Sequence, residues 1–185
     1  MTSQLWLRKH FLHLLAISLL AAPMLVLHDA AAAEALSSKD QGYLKDITRL
    51  EILQTEASEM AVLKSGNEQV RDFAREMIKT QSQLGEAIRQ LANQKRADLP
   101  KEPSLWQKAK FRSLSSKEGN EFDLGYAKTI GVKSQENIVK LLGKIAERTE
   151  DPDIKTFALQ HLSSATNSLE TGKALLAVIK ATESD

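Results

Sequence analysis

The chain has 185 residues, with 25 Lys and Arg against 24 Asp and Glu, a formal net charge of +1, four His and no Cys. A near-neutral balance supplies no global field that would draw the protein to nucleic acid or a membrane. The absence of Cys excludes disulfides, thiol chemistry and Cys-ligated metal sites.

The first element reads as a processing segment. "MTSQLWLRKH" supplies Arg8 and Lys9, "FLHLLAISLLAAPMLVL" an apolar run, and "HDAAAAEA" a patch of small residues. A basic start, an apolar middle and an A-x-A end predict a secretory signal over residues 1–33, cut after Ala33 with Ala31 and Ala33 at the recognition positions. The alternative is an uncleaved anchor, but residues 11–27 are short for a spanning helix and include His13 and Pro23. Removing 33 of the 185 residues leaves 152. Arg8, Lys9 and Asp29 go with them, so 23 basic and 23 acidic side chains remain, along with one His, His161. A chain of that size suits a single domain over residues 34–185, able to bury roughly 70% of its unfolded surface. The predicted location is periplasmic or secreted.

Four long helical patterns follow. The first, Ser38–Lys64, carries Leu44, Ile47, Leu50, Gln54, Ala57 and Ala61 at three- and four-residue steps, and Gly66 and Asn67 close it. The second, residues 68–96, has the seam Val70, Phe73, Met77, Thr80, Leu84, Ala87 and Leu91, flanked by Ala74, Gln81 and Ile88. Residues 97–117 contain Pro100 and Pro103 and read as a non-helical linker. The third helix, residues 118–149, has the stripe Ala127, Ile130, Ser134, Ile138, Leu141 and Ile145. Asp151 and Pro152 then make a corner, with Asp151 as cap and Pro152 at the first helical position. The fourth helix runs to about Thr182 with Ile154, Ala158, His161, Ala165, Ser168, Gly172, Leu175 and Ile179 on one side. A faint repeat aligns residues 67–78 with 151–162, pairing Val70 with Ile154, Phe73 with Phe157 and Ala74 with Ala158; amphipathic helices share such patterns without duplication. The predicted fold is all-α: a four-helix bundle of two hairpins joined by a longer crossover, as in ferritin-like folds.

Each predicted helix sets one polar residue in its apolar stripe: Gln54, Gln81, Ser134 and Ser168. Ferritin-like metal cores need inward carboxylates and Glu-x-x-His pairs. No Glu-x-x-His occurs after residue 33, and neutral amides and hydroxyls cannot assemble a transition-metal site alone. The four are therefore expected to form a hydrogen-bonded core layer that fixes helix register, with no metal and no cofactor. Glu51, beside Leu50, is expected to be a solvated edge residue. His161 has no carboxylate partner in sequence and reads as a half-buried helical residue rather than a base. There is no G-x-S-x-G, no Gly-rich phosphate loop and no catalytic residue to name.

The most distinctive surface segment is residues 95–117, with Lys95, Arg96, Lys101, Lys108, Lys110, Arg112 and Lys117 against Asp98 and Glu102, and with Trp106 and Phe111 interleaved. Such a segment can bind an anionic membrane surface or an acidic polymer. The plainer expectation is that Trp106 and Phe111 cover one end of the bundle while the cations stay solvated. Nucleic acid is the weakest partner for a net-neutral exported chain.

"VRDFAREMI" after "AVLKSGNE", then "FDLGYA", then "DPDIKTFA" resemble the secreted domain of unknown function 4142 family across nearly all of the chain beyond the predicted signal. The resemblance implies a ferritin-like helical bundle, usually exported by bacteria, without assigned activity. It also implies a Glu in the first helix and a His in each of the other three. By position these fall on Gln54, Gln81, Ser134 and Ser168, so the family's ligand set is replaced here by neutral groups. The leading expectation is a non-enzymatic binding or envelope and stress accessory protein whose partner is an unknown protein or envelope component. The alternatives are a metal-binding or redox protein using carboxylates such as Glu51, Glu56 or Glu76, and a peripheral binder acting through the Trp106 segment.

Overall fold

The computed structural model describes residues 36–182; the predicted signal lies outside them. Among the described residues there are helices and no strands. Helix α1 (Ser38–Lys64) starts at Ser37, whose Oγ accepts from the Asp40 amide at 3.1 Å and donates to Asp40 Oδ2 at 2.7 Å. Helix α2 (Glu68–Lys95) starts at Asn67, whose Oδ1 accepts from the Gln69 amide, and it ends at Arg96 in the left-handed conformation, φ 52°. Short polar side chains satisfy the free amides at these starts, and so they fix where each helix begins.

The 97–117 linker is not non-helical throughout, because Leu105–Ser115 forms a helix, α3. A capping box starts it: Ser104 Oγ accepts from the Gln107 amide, and Gln107 Oε1 accepts from the Ser104 amide at 2.7 Å. Pro100 and Pro103 break the chain before this box, not within it. Helices α4 (Gly119–Tyr126) and α5 (Gln135–Arg148) are joined without interruption by a π-helical segment, Ala127–Ser134. Three β-branched residues, Thr129, Ile130 and Val132, surround Gly131 there, and none favours regular α geometry. Helix α6 (Pro152–Thr182) starts at Asp151, whose Oδ1 accepts from the amides of Asp153 and Ile154.

The wider turns of the π segment change the phase of the inward face. Ile130, Gly131, Ser134 and Gln135 are all buried, and beyond them Leu142, not Leu141, enters the core. Leu50 on α1 likewise stays half-buried while Leu53 is buried. Leu50 and Leu141 instead sit beside Ser104, Trp106 and Gln107, where α3 lies across the α1–α5 seam.

The core has two apolar clusters. One includes Leu44, Ile47, Ile88, Leu142, Ile145 and Ile154; the other includes Met77, Phe122, Tyr126, Ile130, Leu175 and Ile179. The aligned halves of the faint repeat occupy equivalent environments: Val70 and Ile154 are fully buried, as are Ala74 and Ala158. The tightest approach in the core is between α6 and the π segment. A Cβ built on Gly172 falls 2.5 Å from the carbonyl carbon of Gly131 and 2.9 Å from its Cα. Only glycine allows backbones to meet at that range. Gly172→Ala is expected to destabilise the protein by about 2 kcal/mol or more in a urea melt, because an overpacked contact outweighs the gain in helix propensity. Gly143→Ala, where nothing lies within 4 Å, is the matched control and should be neutral or stabilising by up to about 1 kcal/mol.

Candidate functional site

The boundary between the two apolar clusters is marked on every long helix by a polar residue. Along α1, Gln54 falls between Ile47 and Ala57; along α2, Gln81 falls between Met77 and Leu84. Along the third rod, Ser134 and Gln135 fall between Ile130 and Ile138, and along α6 Ser168 falls between Ala165 and Leu175. Gln54 is fully buried. Its Nε2 donates to Ser134 Oγ at 2.7 Å, and its Oε1 accepts from Gln135 Nε2 at 2.9 Å. Gln135 Nε2 also lies 3.2 Å from Met77 Sδ.

Gln54 and Ser134 are therefore joined directly, and Gln135 completes the set. Gln135 was absent from the predicted layer because a strict 3.6-residue period was read through the stretch that the π segment widens, which put Ser134 alone on the inward stripe. Gln81 and Ser168 stand apart from this network. Gln81 is 2% exposed, and its Oε1 has no hydrogen-bond partner. Ser168 is only half-buried and lines an open groove between α2 and α6.

The donor set does not fit a metal of the kind the family resemblance implies. Both ends of the Gln54 amide are engaged by other neutral side chains, and no anionic or imidazole ligand stands at the four matched positions. Among the described residues, no group of three or more His, Asp or Glu side chains is arranged to hold a metal ion. Beside the network, Tyr126 is fully buried and its hydroxyl shares a 2.8 Å hydrogen bond with Ser58 Oγ. Desolvation drives its ionisation well above the ordinary phenol range. Its ring meets Phe73 edge-on at 6.1 Å and lies nearly parallel to Phe122 at 6.3 Å.

The expectation that Glu51 is a solvated edge residue is corrected: it is 8% exposed. Gly85 opens the niche that admits it, since a Cβ at Gly85 would lie 2.8 Å from Glu51 Oε1. Burial raises the Glu51 pKa, partly offset by the Arg89 charge and the Thr55 hydroxyl. Glu56 and Glu76 are exposed, and Glu76 pairs with Lys79 at 3.3 Å. His161 is half-buried with its ring 4.8 Å from that of Phe157, and desolvation lowers its pKa.

The basic segment is divided in its roles. Lys95 is engaged at 2.7 Å by both Asp151 and Asp153, Lys108 pairs with Glu102, and Lys117 pairs with Glu121. Arg96, Lys101 and Arg112 are exposed. Trp106 does not cover the end of the molecule, because it is 63% exposed beside Leu105 at 84%. Leu114 and Gln107 are the buried residues of α3, and Phe111 is half-buried. Their three- and four-residue spacing turns the first turn of α3 outward, so Leu105 and Trp106 face solvent. Lys110 Nζ lies 3.6 Å from the Trp106 ring centroid, and desolvation together with Lys133 lowers its pKa.

Over residues 26–175 the chain matches the family described as "Domain of unknown function (DUF4142)". No curated protein matches it. Among solved structures, a protein from Bacillus halodurans C-125 assigned to the spore coat is similar, with a TM-score of 0.61 and 14% identity, covering 81% of this chain and 91% of that one. At that identity the likeness is one of fold.

Glu51 supplies a pH signature. Its folded pKa lies above its unfolded value, so its contribution to stability is intact below the ordinary carboxylate range and is lost as pH rises through the folded pKa. Glu51→Gln is therefore expected to be more stable than the native protein at about pH 8, with the gap closing at about pH 4. Urea melts of both proteins at the two pH values check this, and a gap independent of pH would show that Glu51 ionises without penalty.

Proposed function

The chain belongs to the family of the domain of unknown function 4142, and from that premise we propose that it is an exported, non-catalytic binding or accessory protein of the bacterial envelope. In this reading it is a ferritin-like four-helix bundle of two hairpins, α1–α2 and α5–α6, with α3 in the crossover. The observation that carries the reading is the Gln54–Ser134–Gln135 network. A bundle that handled metal or redox chemistry at this level would present charged ligands there, and this one fills the level with neutral groups that hydrogen-bond to one another, Gln135 Oε1 alone of the three being left unpaired. The carboxylate alternative is weaker, because Glu51 is buried with Arg89 and Thr55 while Glu56 and Glu76 face solvent. Elemental analysis of protein from the exported fraction, with an intact mass to fix its N-terminus, tests the proposal. Fe, Mn and Zn well below one equivalent per chain are expected after gel filtration, and a full equivalent would overturn the reading.

A second reading rests on α3. Leu105 and Trp106 are exposed side by side, with Lys101, Lys110 and Arg112 in the same segment. An apolar anchor ringed by cations suits an anionic envelope surface. Co-sedimentation with anionic vesicles is expected to weaken with added salt and to disappear in Trp106→Ala combined with Lys110→Glu. Vesicle binding untouched by that pair would remove α3 from the account.

A further inference from the structure

Two seams separate the α1–α2 hairpin from the α5–α6 hairpin. The α1–α5 seam is crossed by α3, which brings Trp106 and Gln107 over Leu50 and Leu141. Across the α2–α6 seam no helix lies among the described residues. An open groove of about 650 Å³ runs there, with Phe73, Met77 and Leu175 among its apolar walls. It adjoins a smaller cavity of about 240 Å³, and the two share Thr80 and Ser164. The larger volume falls within the range of small-molecule sites, roughly 300–1,000 Å³.

Two further observations define what would occupy it. Gln81 lines the smaller cavity; it is 98% buried by its 2% exposure, and its Oε1 is without a hydrogen-bond partner. A buried acceptor left unpaired costs about 1–3 kcal/mol, so a donor delivered to it is favoured. Asp72 and Glu76 are the charged side chains on the walls, and each is paired along α2, with Arg75 and Lys79. No Lys or Arg lines either cavity, and desolvation keeps His161 toward its neutral form. A carboxylate or phosphate end would find no cation on the lining and could give Gln81 Oε1 no proton to share.

We propose that the α2–α6 groove binds an elongated amphiphile with an uncharged or cationic end. Its apolar chain lies along Phe73, Met77 and Leu175, and its hydroxyl or ammonium donates to Gln81 Oε1. Phe73 and Gln81 are eight residues apart on one helix, about 12 Å along the axis, a span that suits a decyl chain. This site is separate from the α3 surface and does not depend on what that surface meets.

The test uses the purified full chain and three probes of one length, decanol, decylamine and decanoate, titrated calorimetrically below their micelle concentrations. Decanol and decylamine are expected to bind at one equivalent and to raise the melting temperature, with decanoate at least about tenfold weaker. Gln81→Leu, which removes the unpaired amide and should still fold, is expected to weaken decanol at least about tenfold. Ala174→Trp, at an exposed position on the groove wall, should fill the groove and abolish binding of all three. Trp106→Ala should leave the affinities unchanged, which separates this result from any failure of the α3 reading. The absence of saturable decanol and decylamine binding overturns the proposal. Binding that survives Ala174→Trp does so too, as does decanoate binding as tightly as decanol.

Discussion

The backbone contact between Gly131 and Gly172 is the constraint on which the rest of the core depends. It brings α6 against the π segment at a range that no side chain tolerates. With that crossing fixed, the π segment presents both Ser134 and Gln135 inward, and these two residues grip the Gln54 amide on α1. A contact between the third rod and α6 thus sets the register of α1 as well. The two apolar clusters on either side are held at one relative height by a polar junction that has few alternative pairings.

Much of this was legible in the sequence because it follows from period and capping. Asp151 starts α6 as a short polar side chain that satisfies free amides, and the paired residues Val70 with Ile154 and Ala74 with Ala158 are buried alike. Other features were not legible, each for a local reason. The π segment has no strong signature beyond β-branched residues around a Gly, so a strict 3.6-residue period misassigned Leu141 and concealed Gln135. Glu51 looked like an edge residue because its niche is made by Gly85, far away in sequence and visible only once α1 packs on α2. The α3 helix was hidden by Pro100 and Pro103, whose proximity masked the Ser104–Gln107 capping box. Ser168 shared the spacing of the buried layer, yet the seam it faces remains open.

The polar junction is satisfied only in part. Three of its members, Gln54, Ser134 and Gln135, are joined by hydrogen bonds, yet Gln135 Oε1 is buried without a partner. On α2, Gln81 is likewise buried without a partner for its oxygen. The same cross-section therefore holds two unpaired amide oxygens, and the one on α2 adjoins a groove.

The clasp at Lys95 bears on how long the folded state lasts. Lys95 ends the second helix, while Asp151 and Asp153 sit at the start of the last one. The intervening chain includes α3, α4 and α5, so these three charges tie together segments far apart in the sequence. The lysine and Asp151 are also largely withdrawn from solvent, with side-chain exposures of 16% and 18%, so salt screens them less than a surface pair. Where a contact of such separation is missing from the folding transition state, it acts on the unfolding rate. Its strength then slows departure from the native state and does little to speed arrival there.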